Sequence, residues 1–221
     1  VTVTGTTESS NYPTTSGAHD TTHNGIDDVV ITRLDPRETG AKQLVYSTLV
    51  GGTGEDTARA MAVGATGIVT VSGNTTSIDF PTTKGAFDTT HGDSHDVFVI
   101  RLDARKTGAN QLVYSTYLGG AGDDGAVALH VDPRGVMTFG GYTGSKLYPT
   151  TTGAYDRTFH GVFDAFVSRL DPSLGRNQLV WSTMIGGTPS EHVASLGADA
   201  SAIVTLGGRR TFGHFPTTSN A

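Results

Sequence analysis

The chain has 221 residues, a formal net charge of −6 and no cysteine. The last of these excludes disulfides, a thiolate zinc site and a cysteine nucleophile, and the scattered basic residues offer no stripe to neutralise nucleic-acid phosphates. No apolar run is long enough to span a bilayer, so a membrane-spanning chain is not expected, and 30 glycines with abundant threonine point to short strands joined by turns.

In chain order, the first element begins at Val1 and aligns with Val69, Met137 and Val204. A long polar loop follows, carrying the tripeptide PTT, which recurs at Pro13, Pro81, Pro149 and Pro216. Next comes an apolar strand ending in RLD, with its arginine at Arg33, Arg101 and Arg169. A Gly-containing hairpin such as PRETGAK leads into QLVYST or QLVWST, starting at Gln43, Gln111 and Gln178. All three markers keep a period of 67–68 residues, so the repeat is the dominant signal.

One full period, taken from the second copy, holds four strand candidates: 58–64, 68–74, 96–103 and 111–119. The first two are joined by a tight GATG turn, which is DPRG in the next copy. In DVFVIRLD one face carries Val97 and Val99 and the other Phe98, Ile100 and Leu102. A strand apolar on both faces belongs to a sheet sandwiched between other sheets. Repeated four-stranded antiparallel sheets stacked face to face describe the blades of a β-propeller, or an open arc of one. The expected division is a partial blade over 1–50, blades over 51–118 and 119–185, and a partial blade over 186–221. The phase of the repeat predicts three copies of the first, third and fourth strands and four of the second, hence an arc of a larger ring or a piece completed by a partner.

The run LVYSTYLGGAGDD…GGYTGSKLYPTTTGAYDRTFHGVFDAFVSRLDP resembles the SBBP-type β-propeller repeat of bacterial secreted and cell-surface proteins. The resemblance covers essentially the whole chain and implies a propeller in an extracytoplasmic setting: periplasmic, cell-surface or secreted. It implies no activity. The Thr/Gly/Ser-rich, Lys-poor composition leans the same way.

Candidate sites follow from the motifs. The GG-x-G-x-D turns at residues 51–56 and 119–124 match a calcium nonapeptide, with Asp56 and Asp124 as candidate ligands. A calcium cage needs six to eight oxygens, which such turns supply only when stacked nine residues apart. Copies 68 residues apart are read instead as crossovers between sheets, and no metal or cofactor is expected. Asp20, Asp88 and Asp156, each followed three or four residues later by His23, His91 and His160, read as loop caps. Arg33, Arg101 and Arg169 read as structural partners of a nearby acid. Long loops often bind, so Phe87, His91, Tyr155, Phe159 and His160 are the candidate binding residues. No catalytic constellation stands out, and departures from the repeat, such as GGTPSEHVA, read as decay. The expected function is a non-catalytic scaffold or accessory subunit that binds other protein subunits through loop faces or open blade edges. The alternative is a lectin-like propeller that binds glycans.

Overall fold

The structure is a computed structural model that describes residues 1–211 and Thr217. It is all-β, with four antiparallel sheets following one another along the chain. The first contains β1 (Thr2–Thr7), β2 (Asp28–Leu34) and β3 (Leu44–Val50). The second contains β4 (Asp56–Val63), β5 (Val69–Thr75), β6 (Asp96–Leu102) and β7 (Leu112–Leu118). The third contains β8 (Asp124–Val131), β9 (Met137–Thr143), β10 (Asp164–Leu170) and β11 (Leu179–Ile185). The last pairs β12 (Glu191–Ala198) with β13 (Val204–Arg210). Each sheet is a simple meander, and none closes on itself. The four strand candidates of the second copy thus appear within two residues of their expected ends; the fourth PTT, at Pro216, lies outside the described residues.

The two-faced apolar strands explain the stacking. Phe98, Ile100 and Leu102 of β6 join Val29 and Ile31 in one cluster between the first and second sheets. Val97 and Val99, on the other face of β6, join Phe139 and Phe166 between the second and third. Ala165 and Val167 join Val193 between the third and last. Neighbouring sheets meet chiefly through their first and second strands: β4 packs on β1, β8 on β4 and β5, and β12 on β8 and β9.

Three devices recur in the sheets. Each first strand carries a β-bulge, so Arg59 in β4 has no partner across the ladder and Gly73 lies opposite. The Cβ that Gly73 lacks would fall 1.9 Å from the Thr57 carbonyl oxygen, which is why glycine stands there. The long loop between second and third strands is stitched to the fourth. In the second sheet, the Thr83 backbone N–H donates to the Ser115 carbonyl at 3.0 Å, the Ser115 N–H to Thr83 Oγ1 at 2.9 Å, and Thr116 Oγ1 to the Asp88 carbonyl at 2.9 Å. The PTT and YST motifs recur together because they bind each other, and the loop covers an edge strand that would otherwise be open to pairing.

The third device is a latch between sheets. Tyr46 Oη donates to Gln111 Oε1 at 2.7 Å, and Gln111 Nε2 donates to the Gly17 carbonyl at 3.2 Å. One sheet further on, Tyr114 Oη donates to Gln178 Oε1 at 2.6 Å and Gln178 Nε2 to the Gly85 carbonyl at 2.7 Å. Both tyrosines and both glutamines are buried. Replacing Tyr114 with phenylalanine is expected to leave Gln178 Oε1 short of a donor and lower stability by about 1–2 kcal/mol, read from urea denaturation. An unchanged midpoint would show the latch to be energetically idle.

Candidate functional site

Each joint between sheets brings together two buried acids. The third strand of one sheet begins with Asp28, Asp96 or Asp164, and the first strand of the next with Asp56, Asp124 or Glu191. All six are at most 2% exposed. Asp96 Oδ2 accepts from the Gly92 N–H at 2.7 Å, and Asp124 Oδ2 from the Gly120 N–H at 2.9 Å and Ser145 Oγ at 2.7 Å. Oδ1 of each has no hydrogen-bond partner among the described residues. Between them sits the first glycine of the GG pair. A Cβ on Gly119 would lie 2.1 Å from Asp96 Oδ1 and 2.8 Å from Asp124 Oδ2, and on Gly51 2.3 Å from Asp28 Oδ1 and 2.8 Å from Asp56 Oδ2. Burial, the largest cause, raises Asp28, Asp56, Asp96, Asp124 and Asp164 above the ordinary carboxylate range, Asp124 to about 6. Asp56 and Asp124 are therefore strand-starting residues held by turn N–H and hydroxyl donors. Among the described residues, no group of three His, Cys, Asp or Glu is placed to hold a metal ion.

On the same end of the strands, a cleft of about 410 Å³ opens between the second, third and last sheets. Its wall is aromatic. The Tyr142 ring meets Phe163 at 5.4 Å and His192 at 5.0 Å between centroids, and Phe163 meets His192 at 5.6 Å. Tyr142 lies across Gly125, where a Cβ would come within 2.7 Å of the phenol. Arg59, carried out of the ladder by the bulge, lines one side and donates from Nε to Asn74 Oδ1 at 3.2 Å. Arg209 also lines the cleft, opposite His192 in the register of β12 and β13. Asp123 at the rim accepts from Ser94 and is 3.0 Å from His95 Nδ1, so its charge is already engaged. Burial and then Arg209 lower the His192 pKa, which keeps this ring neutral and able to act as an apolar surface at neutral pH. Burial raises Tyr142 despite the nearby Arg59.

The loop candidates do not gather into one site. Phe87 and Phe159 pack against the apolar cluster between the second and third sheets. His91 places Nε2 3.2 Å from the Thr75 carbonyl and its ring edge-on to Tyr117 at 5.4 Å. His160 instead meets Asp156 Oδ2 at 2.9 Å. Tyr155 is 67% exposed and stands apart from the cleft. Asp20, Asp88 and Asp156 accept the N–H two residues on, as caps do. Arg169 pairs with Asp132 at 3.2 Å, whereas Arg101, whose repeat finds Gly64 in place of that acid, leaves a buried Nε without a hydrogen bond.

Arg59, Tyr142, His192 and Arg209 were not singled out by sequence. They stand where the copies differ: Thr6, Asn74, Tyr142 and Arg209 share one repeat position, and Thr57, Gly125 and His192 another. The signal was present, since His192 falls in the very stretch, GGTPSEHVA, that reads as decay. No family model matches the chain, and no curated protein matches it.

Proposed function

We propose that this chain is a non-catalytic scaffold built on a β-propeller plan, working in an extracytoplasmic setting. Stacked four-stranded meanders that meet at their first strands support the propeller plan, as does the resemblance of the repeat to the SBBP type. No described helix is long and apolar enough to cross a membrane. The observation that carries the scaffold reading is the latch, used in the same form at two successive joints. Gln43 occupies the repeat position of Gln111 and Gln178 but is exposed. Trp181 occupies the position of Tyr46 and Tyr114 and lines, with Leu174, Val180 and Val204, an open groove of about 700 Å³ between the third and last sheets. One sheet-to-sheet joint repeated in this way suits the molecule to docking further sheets of the same kind. Sedimentation of the chain across a concentration series is expected to show species heavier than its 23.0 kDa, diminished by Trp181→Ala and by Gln43→Ala. A mass that stays at one chain throughout would count against the reading.

A second reading, a saccharide-binding module, is favoured by the cleft with its ring wall and surrounding polar groups. It moves the expected glycan site from the long loops to the strand ends at the joints between sheets.

A further inference from the structure

Resting on that second reading, we infer that the cleft between the second, third and last sheets takes an acidic saccharide, a pyranose chain bearing a carboxylate. Four observations converge on it.

The first is departure from the repeat. The scaffold is copied closely at buried strand positions, yet the positions lining the cleft carry unlike residues in each copy. Tyr142 is fitted to its place: only a glycine at 125 leaves room for the phenol, and the other copies have Thr57 and His192 there. A recognition site needs one unlike set of groups, and here the repeat supplies it in one place.

The second is shape. A volume of about 410 Å³ lies in the range of small-ligand sites and suits one or two sugar rings. The third is the wall. Tyr142, Phe163 and His192 touch one another at tilted and edge-on angles, giving a continuous apolar surface with a polar rim. Such a surface fits the C–H face of a pyranose, while Thr57, Asn74 and Glu55 supply donors and acceptors for hydroxyls.

The fourth is charge. Arg59 and Arg209 line the cleft from different sheets, the second and the last. Of the two acids at the rim, Asp123 is engaged by Ser94 and His95, leaving Glu55 alone against two guanidinium groups. Arginine binds carboxylates in a planar, paired geometry, so a sugar acid matches the site better than a neutral sugar.

The test is calorimetric titration of the intact chain with oligogalacturonate and with a neutral galactan oligosaccharide of equal length. The acidic ligand is expected to bind at least about tenfold tighter, with an affinity that falls as salt rises. Arg209→Ala, at an exposed position, should weaken binding about tenfold without moving the melting temperature. Tyr142→Phe should retain most of the affinity, and Tyr142→Ala should lose it. Equal binding of the two oligosaccharides would overturn the acidic class while leaving a saccharide site in place. Binding of neither would overturn both. Affinity untouched by Arg59→Ala and Arg209→Ala would overturn the assignment to this cleft.

Discussion

Gly119→Ala is expected to destabilise the protein by about 4 kcal/mol, among the largest effects of any single methyl group in the chain. The new Cβ would fall 2.1 Å from Asp96 Oδ1 and 2.8 Å from Asp124 Oδ2. Neither carboxylate is free to retreat. Asp96 is held by the Gly92 N–H, and Asp124 by the Gly120 N–H and Ser145 Oγ, and both are buried at the joint between two sheets. Relief would require parting the sheets or breaking three hydrogen bonds to charged groups, each of which contributes about 1.5–3 kcal/mol. Gly108→Ala provides the contrast: its φ of +54° is unfavourable to alanine, but no atom lies within 4 Å of the new Cβ. A cost of about 1 kcal/mol is expected there. Urea denaturation of both variants measures the difference, and equal losses would show that the glycine pair serves backbone conformation rather than the acids.

The second large effect runs in the opposite direction. Asp124→Asn is expected to stabilise the protein at pH 7.5 by about 3 kcal/mol and to change little at pH 4. Burial raises Asp124 to about 6 from an ordinary 3.8. An acid whose pKa is higher in the folded state contributes fully below its unfolded pKa, and that contribution is lost as pH rises through the folded value. Stability should therefore fall between about pH 4 and pH 6, and Asp28, Asp56, Asp96 and Asp164, raised for the same reason, add to the slope. Asparagine keeps an oxygen to accept from Gly120 and Ser145 and removes the charge. Denaturation midpoints at the two pH values decide the matter. A variant weaker than the parent at pH 7.5 would show that the buried charge is compensated in a way the joint does not reveal.

These two results concern a motif that the sequence displays plainly and explains poorly. GGAGDD reads as a metal turn or a crossover; what the glycines accommodate emerges only when Asp96, on another strand, is brought beside Asp124. The period itself, the four strands of each copy and the stacking were legible because they depend on local pattern: alternation, turn residues, and apolar side chains such as Val97 and Phe98 on both faces of one strand. The long loop was identified as a segment but not for its role, since Thr83 finds Ser115 only once β7 lies alongside it. The cleft was hidden for a related reason. Arg59 points into it because a bulge lifts it from the ladder, and its neighbours come from three sheets. Comparing copies position by position is the one sequence signal that reaches such a site, and it marks Tyr142 and His192 as departures without saying that they meet.

The latch also bears on how the molecule comes apart. Tyr46 with Gln111 ties the first sheet to the second and Tyr114 with Gln178 the second to the third, and no sheet is closed on itself. Such a chain behaves as a short one-dimensional lattice, in which a unit owes its persistence to itself and its two neighbours. The second sheet, latched on both sides, is the natural seed of folding and the last part to melt. The β12–β13 pair, which carries no such latch among the described residues, is where fraying begins. Damage at one joint is thus felt one step away and fades along the row.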